Sequence, residues 1–348
     1  MSKVQHDDNG EGRMRRAIVI VLDSVRPDRV GCYGYQRDTS PNIDRLALAG
    51  SKFAARVPQD VLPGTNAVAG AMLTGVSTHD CSDNYCPDAV LVNEICSPSL
   101  FASNHNLFFS KLGWHRGWNY NALMEETPSL PKECRLLLDW FLATLEEKQP
   151  VLSLLWFNET HSTVTAPDES MELFLADDVD EMDVDVYFYN PIMLGKGDGV
   201  PNTKRDGAIL DSTLHNLDDA ITPILKLADD DTLIIVCSDH GDLIGEYGQW
   251  FTHGLHLENS ADNYEAAVDL LRPVFMVMSQ PSPRAEQPAT HLDIAPTVAH
   301  WLGVEGLEQW SGKTLLNDLP YFSSFPPEPA FLQKEEVNDR LRQLGYIE

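Results

Sequence analysis

Positive charge is scarce in this chain: 25 Lys+Arg stand against 53 Asp+Glu, a formal charge of −28 over 348 residues. Such a surface repels polyphosphate backbones, so nucleic acid is excluded as an expected partner. No apolar run approaches the ~20 residues of a membrane-spanning helix. Arg13, Arg15 and Arg16 precede an apolar stretch much as in a secretory signal, but that stretch holds only Ala17 to Leu22 before Asp23. It is shorter than the ~7–15 residues of an h-region, and no small-residue cleavage site follows. A cytoplasmic protein with no membrane span is the expectation. The six cysteines (Cys32, Cys81, Cys86, Cys96, Cys134, Cys237) form no Cys-x-x-Cys pair. Cys81 with Cys86 is a weak zinc or disulfide signal, and all six read as reduced thiols.

Apolar content is not what gives way to the acidity. Hydrophobic residues make up 43% of the chain, enough for a sizeable core. Strong acidity with a retained core suits a salt-rich cytoplasm, where screening weakens self-repulsion, so a halophilic source is expected. Residues 1–14 are polar and expected to be disordered, and 15–348 read as one α/β domain with a small C-terminal cap from about 280. Short apolar runs alternate with amphipathic stretches, the mark of parallel strands joined by helices. The strands expected are Ala17–Leu22, Val151–Phe157, Thr232–Cys237 and Pro273–Met278. The helices expected are Pro41–Ala49, closed by Gly50, then Asn66–Thr74, Leu130–Glu147 and Asp211–Leu227. An acidic block from Asp177 to Asp185 reads as a solvated loop, since it lacks the Gly and terminal Glu of an EF-hand.

Two of these strands end on carboxylates. The first runs into Asp23 and another into Ser238-Asp239-His240-Gly241. Ligands of open α/β sheets bind beyond the carboxyl ends of the parallel strands, so both carboxylates face one crevice and outline a metal site. The strand ending at Phe157 runs on to Glu159 and His161. Thr65 stands at a helix N-terminus, where unsatisfied N–H groups and the macrodipole favour an anion or an alkoxide. The plainer role there is an N-cap.

Taken together and in order, these blocks resemble the sulfatase branch of the alkaline phosphatase superfamily. The likeness runs through Leu22-Asp-Ser-Val-Arg-Pro-Asp28, Gly31-Cys-Tyr-Gly-Tyr35 and Ser40-Pro-Asn-Ile-Asp-Arg-Leu-Ala47. It continues through Leu73-Thr-Gly75, Phe101-Ala-Ser-Asn104 with Arg116-Gly-Trp118, and Glu159-Thr-His161. Ser238-Asp-His-Gly241 with Gly245-Glu246 and His253 follows, then His291-Leu-Asp-Ile-Ala-Pro-Thr297, Gly312-Lys313 and Leu341–Ile347. The resemblance implies a three-layer α/β/α sandwich around a mainly parallel sheet, alkaline-phosphatase-like. Sulfatases carry their nucleophile in a Cys/Ser-x-Pro-Ser-Arg string ten residues before the Gly of Leu-x-Thr-Gly. Here that place is Thr65, in Thr65-Asn-Ala-Val-Ala69. The Cys or Ser that becomes formylglycine is absent, and threonine cannot release sulfate by collapse to an aldehyde. Threonine relatives transfer phosphoryl groups.

Carried over by position, the resemblance implies one metal site of Asp23, Thr65, Asp239 and His240, holding one divalent cation (Zn, Mn, Mg or Ca). Thr65 is then the catalytic nucleophile, and His161 and His253 bind a non-bridging oxygen or protonate the leaving group. Asn104 is a substrate contact, and Arg26 an anion contact or a brace. Ser24 replaces the second acid that many sulfatases carry, and Thr252 replaces their Lys. His291 with Asp293 reads as a hydrogen-bonded capping pair. His256 is an alternative to His253, and Trp114, Trp118 and Trp156 read as core residues that also suit a pocket wall. The function implied is a divalent-metal-dependent phosphodiesterase, phosphatase or phosphotransferase acting on a small-molecule, lipid or glycan ester. The alternatives are a sulfuric ester hydrolase and a catalytically silent metal-binding recognition protein.

Overall fold

The strand β1 (Arg16–Leu22) lies at the centre of a seven-stranded sheet, and its alternate residues feed two separate cores. In this computed structural model the described residues are 14–77, 89–104, 113–123, 130–161, 168–174, 203–244, 246–248, 253 and 264–316. After β1 come α1 (Pro41–Ala49), β2 (Ser51–Lys52), β3 (Ala54–Arg56), α2 (Thr65–Thr74) and α3 (Val92–Ile95). Next are β4 (Ser99–Ser103), β5 (Tyr120–Leu123), α4 (Leu130–Lys148), β6 (Leu152–Phe157), α5 (Asp168–Phe174) and α6 (Thr203–Leu225). The last are β7 (Thr232–Ser238), α7 (Tyr264–Leu271), β8 (Met276–Met278), β9 (Pro288–Thr290) and α8 (Ile294–Leu302).

The sheet order is β2-β8-β7-β1-β6-β4-β5. The pairs β1–β6, β1–β7, β4–β6 and β4–β5 are parallel, and β8 runs antiparallel to both β7 and β2. Leu22 pairs with Phe157 on one side and Ser238 on the other, so three central strands end at one level. Because strand side chains alternate between faces, Val19 and Val21 join α2 and α8 in one core, with Val68, Met72 and Val298. Ile18, Ile20 and Leu22 join α1, α4 and α6 in the other, with Leu46, Phe141 and Leu217. The protein is a mixed α/β sandwich with a mostly parallel sheet between helical layers.

Residues 288–302 form β9, which pairs parallel with β3, and α8, which packs on the sheet. The reason is apolarity: Ile294, Ala295, Val298, Ala299 and Trp301 are all buried. The helix read from Asp211 begins earlier, at Thr203. Residues 1–13, the acidic block from Asp177 to Asp185, Cys81, Cys86, Gly245, Thr252, His256 and the segment 317–348 lie outside the described residues.

Candidate active site

Four parallel strands deliver side chains to the same end of the sheet: Asp23 after β1, Asn104 after β4, Glu159 and His161 after β6, and Asp239 with His240 after β7. From the facing helical layer, α2 adds Thr65. Gly64 takes the N-cap position of α2 and Thr65 is its first helical residue, so the plain capping role does not apply. The buried Thr65 hydroxyl instead lies 3.3 Å from Asp23 Oδ2, to which it donates, and 3.3 Å from His240 Nε2. Asp23, Thr65, Asp239 and His240 therefore meet around one point.

The two carboxylates are held differently. Asp239 Oδ1 accepts the backbone N–H of Ser24 at 2.9 Å and of His240 at 2.8 Å. Its Oδ2 has no hydrogen-bond partner among the described residues and stands 3.3 Å from His240 Nε2. Asp23 accepts the Ser24 hydroxyl on Oδ1 at 2.8 Å and Trp156 Nε1–H on Oδ2 at 3.2 Å. Ser24 reaches both carboxylates from a left-handed backbone, φ 62°, a conformation that costs a non-glycine residue on the order of 1 kcal/mol or more. Burial and the neighbouring charge of Asp23 push Asp239 up to about 7. Burial disfavours the charged His240 ring, but Asp239, Asp23 and Asp242 outweigh it and raise its pKa.

These residues fit a divalent cation. His240 Nδ1–H donates to the Gly241 carbonyl at 2.9 Å, so the neutral form of the ring, the form that binds a metal, carries its lone pair on Nε2. Asp23, Asp239 and His240 each present one ligand atom within 4.8 Å of the others. A partnerless carboxylate oxygen beside a second carboxylate and an open imidazole nitrogen is a hard-to-borderline donor set without a charge to balance it.

His253 and His161 stand at the edge of this group. The His253 ring packs 4.2 Å from the His240 ring and 5.1 Å from that of His161, centroid to centroid. His253 Nδ1–H donates to Asp242, a buried carboxylate the sequence reading did not single out. Burial works against a charged Asp242, yet His253, His240 and His161 hold its pKa below the usual carboxylate range. For His253 burial prevails over Asp242 and lowers the pKa.

The two residues read as substrate contacts are engaged elsewhere. Asn104 is buried, donates to Glu159 at 2.6 Å and accepts from the Asn158 amide at 2.9 Å, so it braces the turn that carries His161. Arg26 forks onto Asp28 and Glu246, both at 2.6 Å, and serves as the brace. His291 Nε2–H donates to the Ser238 carbonyl at 2.8 Å, while Asp293 accepts from the Thr290 and Lys313 amides. His291 thus ties its turn to the end of β7, while Asp293 ties Thr290 to Lys313. Trp114 and Trp118 are core residues, and Trp156 adds its N–H to Asp23.

The profile of the family described as Sulfatase matches residues 15–304. A choline-sulfatase of Rhizobium meliloti (strain 1021) is 32% identical over 105 residues, spanning 29% of this chain and 18% of that protein. The chain thus aligns with less than a fifth of that relative's length. Among solved structures, the phosphonate monoester hydrolase of Agrobacterium radiobacter superposes with a TM-score of 0.65 at 18% identity. The match covers 96% of this chain and 83% of that one. The C-terminal periplasmic domain of EcEptC from Escherichia coli, in complex with Zn, gives 0.61 at 16% identity, over 84% and 83% of the two chains.

Proposed function

Since this chain belongs to the sulfatase family, whose members are hydrolases or transferases of sulfate or phosphate esters, we propose that it acts on phosphate esters with Thr65 as nucleophile. One observation carries the reading: the residue at the nucleophile position is a threonine whose buried hydroxyl lies 3.3 Å from both Asp23 and His240. The likeness to a phosphonate monoester hydrolase supports phosphorus as the electrophile. The likeness to a zinc complex supports metal dependence.

Asp23, Asp239 and His240 would hold one divalent cation, Zn or Mn by donor type, beside the Thr65 oxygen. When bound, it supplies positive charge that lowers the hydroxyl pKa and balances charge developing on the phosphoryl oxygens. Thr65 Oγ forms the new bond to phosphorus as the bond to the leaving oxygen breaks. The Thr65 proton passes along its hydrogen bond to Asp23 Oδ2. His253, with His161 beside it, protonates the departing alkoxide. Water or an acceptor hydroxyl then takes the phosphoryl group from Thr65, His253 receives the proton of the incoming oxygen, and Asp23 returns its proton to the departing Thr65 oxygen along the same hydrogen bond. A small-molecule, lipid or glycan ester is the substrate class, and the short match to a choline-sulfatase keeps sulfate esters as the second reading.

The test compares wild type and Thr65→Ala on a phosphodiester and an aryl sulfate, with saturating metal at high salt. Wild type is expected to turn over the phosphodiester faster, and the variant to lose several orders of magnitude in kcat with its fold intact. Turnover confined to the sulfate, or a fully active variant, would contradict the proposal.

A further inference from the structure

His253 carries an interaction that the proposed reaction does not by itself explain. Its Nδ1–H is committed to Asp242 Oδ1. Asp242 is 2% exposed, and its Oδ2 has no hydrogen-bond partner among the described residues. Asp242 comes two residues after His240, just past the end of β7, while His253 is eleven residues further along the chain. The contact therefore joins His253 to the strand that carries Asp239 and His240.

A carboxylate on Nδ1 fixes two properties of an imidazole. It selects the tautomer with the hydrogen on Nδ1, and it sets the rotation of the ring. The other nitrogen, Nε2, is then the atom that exchanges a proton with substrate: it donates from the imidazolium, which the Asp242 carboxylate stabilises, and takes a proton back once the ring is the neutral Nδ1–H form. From this geometry we infer that Asp242 is a positioning residue that fixes the His253 tautomer and aims Nε2 at the leaving oxygen. The inference rests on the reading of His253 as the group that protonates that oxygen.

A second cation among His240, Asp242 and His253 is the competing use of the same groups. The hydrogen bonds favour positioning. His240 Nδ1 is spent on the Gly241 carbonyl and its Nε2 faces Thr65 and Asp239, so it has no nitrogen left for another ion. Asp242 and His253 spend a donor and an acceptor on one another.

Asp242→Asn keeps the side chain's shape but removes the fixed acceptor, because the amide can present its NH₂ to Nδ1 and select the opposite tautomer. A series of phosphodiesters from an activated 4-nitrophenyl leaving group to an unactivated alkyl group reads out the consequence. General acid catalysis contributes roughly 10²–10⁴-fold where a proton is needed. The variant is therefore expected to lose about 100-fold or more in kcat on the alkyl ester and about 10-fold or less on the nitrophenyl ester, with KM nearly unchanged. His253→Gln should show the same dependence, and Asp242→Asn should add little on top of it.

A wild type silent on every phosphate ester removes the underlying reading, and this inference with it. An active wild type whose Asp242→Asn loss is the same for every leaving group removes the inference alone. Independently of activity, ¹⁵N shifts of the His253 ring should show the Nδ1–H form in wild type and its loss in Asp242→Asn. An Nε2–H ring in wild type, or a second equivalent of Zn bound by wild type and lost in the variant, would overturn the inference.

Discussion

Asp23 and Asp239 share one pocket but are tuned by different partners. Asp239 spends one oxygen on two backbone amides and leaves the other open, whereas Asp23 takes Trp156 Nε1–H, the Ser24 hydroxyl and the Thr65 hydroxyl. Donors behind a metal ligand typically set ~10–100-fold in affinity. Trp156→Phe keeps the ring volume near Asp23 and deletes the N–H, so calorimetric titration with Zn or Mn should show affinity weakened by about that factor. Unchanged affinity would show that the Trp156 contact is packing alone.

His291 offers a second residue-scale test. Burial pushes its pKa down to about 4, since charging it requires a proton on Nδ1, which has no hydrogen-bond partner among the described residues. The ordinary value is 6.5. Between these values the unfolded chain binds a proton that the folded protein excludes, so stability present above pH 6.5 is lost as pH falls toward 4. The linkage is on the order of 3 kcal/mol. His291→Gln retains a donor for the Ser238 carbonyl and removes the titration. Urea unfolding at pH 7 and pH 4.5 should show a smaller acid loss for the variant than for wild type. Equal losses would assign the acid sensitivity elsewhere.

Among the elements, α2 carries Thr65, the proposed nucleophile, and its far end is fixed by Gly75. That residue has φ 64°, and a Cβ there would lie 2.5 Å from Trp310 Cδ1. Gly75→Ala is expected to cost about 1–3 kcal/mol through left-handed strain, with the clash adding to it, read as a lowered denaturation midpoint. A variant as stable as wild type would mean that the helix end readjusts freely. At this scale the sequence was informative where apolar runs were unbroken. β1, β6 and β7 were legible within a residue at either end, and so was α1, with Pro41 at its start and Gly50 after it. β4 and β5 were not legible as strands. Ser99 and Ser103 bracket the apolar centre of β4 and are fully buried, so small polar residues hid a strand sandwiched between two others.

The convergence of Asp23, Thr65, Asp239 and His240 followed from strand ends and one helix start. Asp242 was not singled out, and Trp156 was read only as a core residue that also suits a pocket wall, because neither stood in a pattern that names its partner. One is an additional acid in an acidic chain, and the other an aromatic residue in an apolar run. Only the folded chain brings their partners, His253 and Asp23, within reach.

Over the whole molecule, the formal charge of −28 sets how the fold responds to its solvent. Raising salt from 0.1 to 1 M shortens the screening length from ~10 to ~3 Å and weakens repulsion among surface carboxylates. The thermal midpoint should therefore rise with KCl over that range in scanning calorimetry. A flat or falling midpoint would remove the argument for a salt-adapted surface. The central claim concerns a single atom, Thr65 Oγ, placed by one sheet and one helix within reach of Asp23 and His240. Its most direct test is acid quenching of the metal-loaded protein during turnover of a phosphodiester, followed by peptide mapping for covalent phosphorus. The account predicts a phosphoryl or phosphodiester adduct on Thr65, absent from Thr65→Ala. An adduct on another residue, or undiminished turnover by the variant, would contradict it.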